Sequence, residues 1–229
     1  MLLGGTGCGK STLAEQLIPM FAKMYPSARI LVMDSKPRFR AEWEPTGRKA
    51  TRRYKHWDHG ATLTGSILLQ YGANPNDALN AAWPHGRIVV AQTETQAQRG
   101  WSVGVLDAFL KQARTGRPQL VYIDETLDFF HSNAVARGSS DAILRAARAG
   151  RERGVALLAA SQRPKGIPVQ LMSEMSKTYL FRLDFTDDIK HMGEMGYPWR
   201  TAPPPDEDHT FVFWDKKRRT DTVKMRLSL

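Results

Sequence analysis

The sequence G-x-x-x-x-G-K-S at residues 4–11 constrains the fold more than any other feature of the chain. A short apolar run precedes it, and a pattern typical of an amphipathic helix follows it. Glycines let the backbone curve around a phosphate with its N–H groups pointing inward, while Lys10 can reach the β and γ phosphates. The sequence therefore predicts a strand–loop–helix unit that binds ATP. The residues expected to bind the nucleotide are Gly4, Gly5, Thr6, Gly7, Cys8, Gly9, Lys10, Ser11 and Thr12.

Short apolar runs rich in β-branched residues alternate with helical patterns along the rest of the chain. These runs are RILVMD (29–34), RIVVAQ (87–92), QLVYID (119–124), VALLAAS (155–161) and TYLFRL (178–183). Helices are predicted over 11–24, 101–115 and 141–153. Strands that are apolar on both faces belong in a parallel sheet covered by helices on each side. The pattern predicts an α/β domain with a mainly parallel central sheet.

Length and local composition indicate how the domain is organised. The 229 residues suit one globular domain over 1–229. Residues 36–60 are strongly basic and lack periodicity, which predicts a basic loop or insertion. Residues 209–229 predict an antiparallel hairpin at the edge of the sheet, joined by a basic turn.

The charge balance and the cysteine count limit the partners and the compartment. The formal net charge of +10 favours a polyanionic partner. A single cysteine excludes an internal disulfide and favours a reducing compartment, so a cytoplasmic protein is expected. No apolar run approaches the length of about 18 residues that a membrane span needs.

Two adjacent acids end the run LVYIDE. Asp124 and Glu125 follow four apolar residues, at the strand end where α/β sheets bind their ligands. Asp124 is expected to bind Mg²⁺ together with the hydroxyl of Ser11, and Glu125 to orient and deprotonate an attacking water. A helix N-cap at the strand exit is the structural alternative for this pair.

A glutamine and a stripe of arginines complete the candidate catalytic set. Gln162 ends the next buried strand, where its side chain could contact the γ-phosphate or the attacking water, although a simple turn residue is an alternative. Arg145, Arg148 and Arg151 recur every three residues and share one helix face. The stripe is either a solvated face or, in a ring of subunits, the source of an arginine finger, which is an arginine that contacts the nucleotide of the neighbouring subunit. Arg148 or Arg151 is the expected finger.

Taken in order, these motifs resemble the FtsK/HerA superfamily of ring-forming, DNA-pumping ATPases. The resemblance rests on the Gly4–Thr12 loop, the strand end VMDSK, the pair in YIDE and the stretch GRERGVALLAASQRP, and it covers roughly residues 1–185. It implies a RecA-like core with an extra strand between the phosphate-loop strand and the Asp-Glu strand, with Gln162 as a sensor at its end. The strand before the loop contains only Met1–Leu3, as expected of either a compact motor or a chain truncated at its start.

The resemblance also implies a hexamer with ATP between subunits and double-stranded DNA in its channel, with docking to a capsid or a membrane partner. Lysines and arginines that neutralise phosphates supply most non-specific DNA affinity. The candidate contacts are the basic residues of 36–55 and the turn at Lys216, Lys217, Arg218 and Arg219, each of which could also be a solvated face.

The leading hypothesis is a double-stranded DNA translocase driven by ATP hydrolysis, most plausibly a viral genome-packaging motor. A conjugative or chromosome translocase has the same chemistry. A P-loop kinase would need an acceptor pocket, whereas this sequence has a glutamate beside the metal-binding aspartate. A non-catalytic assembly factor gated by nucleotide is the third alternative.

Overall fold

The computed structural model describes residues 1–36, 40–43, 62–130, 134–150, 152–216 and 222–227. Within these residues, ten strands form one sheet: β1 (Leu2–Leu3), β2 (Arg29–Asp34), β3 (Arg40–Trp43), β4 (Thr62–Leu68), β5 (Ile88–Gln92), β6 (Gln119–Ile123), β7 (Val155–Ser161), β8 (Lys177–Leu180), β9 (Thr210–Asp215) and β10 (Thr222–Arg226). The same part of the chain contains six α-helices: α1 (Lys10–Met24), α2 (Pro75–Ala82), α3 (Gln96–Gln112), α4 (Ala134–Ala149), α5 (Val169–Glu174) and α6 (Thr186–Glu194).

The strand order is β10-β9-β8-β1-β7-β6-β2-β5-β4-β3. Strands β1 to β8 pair in parallel, whereas β9 pairs antiparallel with both β8 and β10. The predicted fold class is therefore confirmed, including the antiparallel strands at the C-terminal end of the chain. Strand β7 lies between β1 and β6, so the sheet has the extra strand that the resemblance implied.

The sheet separates two hydrophobic clusters. On one face, Leu13 and Ile18 of α1 pack against the sheet. On the other, residues such as Leu79 of α2, Phe109 of α3 and Ile143 of α4 are buried. Strands β2 and β6 are buried along almost their whole length, as expected of central strands covered on both faces. This burial fixes the strand ends whose polar residues form the site.

Several predicted boundaries were wrong. Helix α3 begins at Gln96 rather than at residue 101, because Thr95 and Gln98 form a capping box at its start. Helix α4 covers 134–149 rather than 141–153.

Within the predicted basic loop, Arg40–Trp43 form a strand instead, because their backbone pairs with β4 at the edge of the sheet. Residues 37–39 and 44–60 lie outside the described part of the chain. Strand β4 and helix α2 were not predicted at all.

Candidate nucleotide-binding site

The phosphate loop connects β1 to α1 at the carboxyl edge of the parallel strands. Gly7 and Gly9 have left-handed backbone conformations, with φ of 76° and 106°, which favour glycine. A β-carbon on Gly9 would lie 3.0 Å from Cδ2 of His209. Glycine is therefore required at residue 9 both by its backbone conformation and by the close approach of the C-terminal segment.

Lys10 is folded onto the loop itself. Its Nζ donates hydrogen bonds to the carbonyl oxygens of Gly4 at 2.7 Å and Gly5 at 2.6 Å. The side chain is 8% exposed, and burial lowers the pKa of its ammonium group. Carbonyls are weaker partners for a desolvated ammonium than phosphate oxygens, so a bound triphosphate would compete favourably for Lys10.

Cys8 packs beneath the same loop. Its thiol is buried and donates to the carbonyl oxygen of Gly5 at 3.0 Å. Burial raises the pKa of this thiol, which keeps it protonated. Its observed role is to pack and support the loop.

Asp124 follows β6 and is held by two hydroxyl groups. Ser35 Oγ donates to Oδ2 at 2.8 Å, and the Tyr122 hydroxyl donates to Oδ1 at 2.9 Å. The carboxylate is 8% exposed. These bonds leave it lone pairs for a further ligand and fix its orientation at the strand end.

Glu125 connects the end of β6 to the end of β7. Its Oε1 accepts from the backbone N–H of Leu127 at 3.4 Å, and its Oε2 accepts from the backbone N–H of Gln162 at 3.3 Å. Burial raises the pKa of this carboxyl group, which makes its anion a stronger base than an exposed glutamate. The geometry suits a general base, and it also includes the local capping bond of the structural alternative.

Gln162 also contacts the phosphate loop. The hydroxyl of Thr6 donates to its side-chain oxygen at 2.9 Å. Thr6, Gln162 and Glu125 thus form a continuous connection across β1, β7 and β6. The structure brings together Lys10, Asp124, Glu125 and Gln162 at this edge of the sheet.

The residues present fit a magnesium–nucleotide complex. Mg²⁺ is usually bound by one or two carboxylates together with substrate phosphates and water. The loop supplies a hydroxyl at Ser11, in the first turn of α1, and the strand end supplies the oriented carboxylate of Asp124. No cluster of three or more metal-binding side chains occurs among the described residues.

The candidate arginines lie elsewhere. Arg148 is near the end of α4, which leads into the start of β7 at the opposite edge of the sheet, and its Nε is 3.6 Å from Oε1 of Glu174. Arg145 pairs with Asp107 at 2.9 Å. Arg151 lies outside the described residues. Within one chain, Arg148 is thus not part of the site.

The candidate DNA contacts are only partly described. Lys216 follows β9, and its Nζ donates to the carbonyl oxygen of Ser173 at 3.4 Å. Lys217, Arg218 and Arg219 lie outside the described residues, as does most of 36–55.

Sequence reasoning missed the segments that support the loop from the side. The carbonyl of Arg182 accepts from the N–H of Gly5 at 2.7 Å, and its guanidinium pairs with Asp184 at 3.1 Å and Asp208 at 2.7 Å. His209, with a φ of 59°, donates its backbone N–H to the carbonyl of Cys8 at 2.9 Å. No local pattern indicates the two backbone contacts with the loop, because they join Gly5 to Arg182 and Cys8 to His209, which are 177 and 201 positions apart.

The partners of Asp124 had a detectable signal. Tyr122 lies on β6 and Asp124 directly follows the strand, so the two residues are two positions apart and their side chains point to the same side. Ser35 follows β2, which is the direct neighbour of β6.

Comparison with known protein families agrees with this geometry. The family described as "ATPase family associated with various cellular activities (AAA)" matches residues 1–183, from the phosphate loop through β8. The chain belongs to the AAA family of ATPases. No curated protein sequence matches it significantly.

Solved structures similar to this AAA-family chain include a genome packaging NTPase, a conjugation coupling protein and the ATPases of EssC. The genome packaging NTPase B204 of Sulfolobus turreted icosahedral virus 2, in complex with AMPPCP, has a TM-score of 0.67 at 14% identity, over 100% of this chain and 96% of that one. The pCW3 conjugation coupling protein TcpA has a TM-score of 0.54 at 16% identity, over 99% of this chain and 59% of that one.

EssC (ATPases 2 and 3) of Geobacillus thermodenitrificans has a TM-score of 0.56 at 12% identity, over 98% of this chain and 38% of that one. At these identities, the three structures show that they share the fold of this chain. Among the described residues, no helix is long and apolar enough to cross a membrane.

Proposed function

We propose that this AAA-family chain hydrolyses ATP to move double-stranded DNA, as a viral genome-packaging motor. The observation that carries the proposal is the connection from Thr6 through Gln162 to Glu125, which joins the phosphate loop to a buried carboxylate. An NTPase needs a base and a γ-phosphate contact at one strand edge, and we assign these two roles to Glu125 and Gln162.

In the proposed reaction, the loop N–H groups and Lys10 bind the triphosphate. Glu125 accepts a proton from water as the water oxygen bonds to the γ-phosphorus and the bond to the β-phosphate oxygen breaks, which yields ADP and phosphate. Ser11 and Asp124 would hold Mg²⁺, which neutralises phosphate charge when bound. Gln162 would contact the γ-phosphate or the attacking water, so the end of β7 would change position when the γ-phosphate is present.

Three further features support the DNA-pumping part of the proposal. The chain carries a net charge of +10, which suits a non-specific contact with DNA phosphates. Its likeness to a packaging NTPase extends over 96% of that chain. Arg148 is exposed on the opposite edge of the sheet from the nucleotide, where a neighbouring subunit of a ring would reach it, and Arg151 remains the second candidate finger.

The proposal includes a hexameric ring, docking to a capsid or a membrane partner, a single domain over 1–229, and a place in the host cytoplasm or the virion. The same motor could serve conjugation, since a coupling protein shares the fold.

The deciding experiment measures release of inorganic phosphate with and without long duplex DNA, with Glu125→Gln as the inactive control. Displacement of a triplex-forming strand from the duplex reports movement. We expect phosphate release stimulated by long duplex and displacement that depends on ATP. Phosphate transferred to an acceptor molecule without free phosphate would instead establish a kinase, and hydrolysis indifferent to DNA would refute the translocase.

A further inference from the structure

A basic pocket lies at the edge of the sheet opposite the nucleotide site. Arg29 begins β2, while Lys111, Arg114 and Arg117 come from the end of α3 and the turn that leads into β6. These four cations line one cavity of about 540 Å³, and none of the described residues that line it carries a carboxylate. We call it the basic pocket.

The four pocket cations differ from those cations of the chain that are held in ion pairs. Arg99, Arg163 and Arg182 each form an ion pair with an aspartate. Within the part of the chain that the structure describes, none of the four pocket cations forms one. Four positive charges gathered without a counterion raise the local potential and favour an anion.

Arg29 is held in place in the pocket. Its guanidinium stacks over the ring of Trp83 at 4.4 Å, and its Nη1 donates to Oε1 of Gln112 at 3.4 Å. Burial, followed by the charges of Arg117 and Arg114, lowers the pKa of Arg29.

The Gln112 amide is fixed by further hydrogen bonds. Its Oε1 accepts from the indole N–H of Trp83 at 2.9 Å, and its Nε2 donates to the side-chain oxygens of Asn76 at 3.0 Å and Asn80 at 3.2 Å. This network connects α2 to α3 and positions Arg29 before any ligand binds. Preorganised donors in a concave site bind an oxyanion more tightly than mobile surface lysines do.

We infer that the basic pocket is a second phosphate-binding site, separate from the phosphate loop, whose ligand is a phosphate group of a polyanion. Arginine guanidiniums match the geometry of phosphate oxygens, and Lys111 adds a mobile charge. Duplex DNA is the source favoured by the proposed function, on which this choice of source rests. Free polyphosphate offers the same chemistry.

The test compares Arg114→Gln/Arg117→Gln with a control that removes the same charge elsewhere, Lys190→Gln/Arg200→Gln. All four of these side chains are exposed, so the substitutions spare the core. Saturating ADP occupies the phosphate loop, and binding of a short DNA duplex and of inorganic tripolyphosphate is measured over a range of salt concentrations. Arg29→Gln probes the half-buried member in the same assay.

For the pocket variant we expect duplex affinity to fall on the order of tenfold, and the slope of log affinity against log salt to become shallower by about 2, since each lost phosphate contact contributes about 0.9. The control should retain the wild-type slope.

Weakened binding of the duplex alone identifies DNA as the ligand source, and weakened binding of tripolyphosphate also supports the site. The inference would be overturned if the pocket variant bound the duplex and tripolyphosphate with the same affinities as the control variant. If the wild-type protein binds tripolyphosphate at the pocket but duplex DNA neither binds to it nor stimulates its ATP hydrolysis, the DNA translocase is refuted and the phosphate site still stands.

Discussion

The hydroxyl of Thr6 donates a 2.9 Å hydrogen bond to the side-chain oxygen of Gln162. This bond joins a variable position of the phosphate loop to the end of β7, and the backbone N–H of the same glutamine contacts Glu125 at 3.3 Å. Occupancy of the loop can therefore change both the strand end and the proposed base through a single residue.

Replacing Gln162 by alanine should lower kcat for ATP hydrolysis about 10²- to 10³-fold, the usual effect of losing one donor to developing negative charge. KM should change little, because the loop N–H groups and Lys10 still hold the triphosphate. Steady-state phosphate release measures both constants. Thr6→Val is the matched control, since it removes the hydrogen bond but keeps the amide, and its effect on kcat should be much smaller. A Gln162→Ala enzyme with unchanged kcat would exclude the sensor role.

Replacing Glu125 by glutamine should reduce ATP hydrolysis about 10²- to 10⁴-fold, the range for loss of a general base. Nucleotide binding should persist, because the carboxyl group is bonded to backbone N–H groups rather than to the loop. Because burial raises the pKa of Glu125, the wild-type rate should fall on acidification at a pH above that expected for an exposed glutamate. A pH–rate profile of kcat tests this, and persistence of the acidic limb in the variant would assign it to another group.

The same substitution should change stability in a way that depends on pH. A carboxyl group whose folded pKa is raised contributes stability that is present below its unfolded pKa, about 4.3, and lost as pH rises through the folded value. Glutamine carries no charge, so the Tm of Glu125→Gln relative to wild type should be higher at about pH 8 than at about pH 5. Its amide nitrogen cannot accept from a backbone N–H, so the variant also loses one of the two hydrogen bonds at both pH values. Thermal melts of the nucleotide-free protein measure the two differences in Tm. Equal differences at both pH values would show that the ionised carboxylate is not penalised.

Gly9→Ala should destabilise the nucleotide-free protein more than Gly7→Ala. Both residues have left-handed φ values, which cost a non-glycine residue about 1–2 kcal/mol. A new β-carbon at residue 9 would also lie 3.1 Å from Cδ1 of Leu227, whereas at residue 7 it would meet nothing within 4 Å. Overpacking adds about 1–3 kcal/mol, which urea titrations can resolve. Equal losses in the free energy of unfolding would show that the segment near Leu227 can move aside without an energetic penalty.

The sequence by itself determined the phosphate loop, the central strands and the pair at Asp124 and Glu125, because these depend on spacing and apolar periodicity over a few neighbouring residues. VALLAAS coincides with β7, residue for residue, and RILVMD coincides with β2. Only the tertiary structure decided that Ser35 contacts Asp124, that the segment at His209 contacts the loop, and that Arg29 lies in one pocket with Arg114 and Arg117. Those contacts depend on strand order and on the close approach of distant segments, which local pattern does not encode.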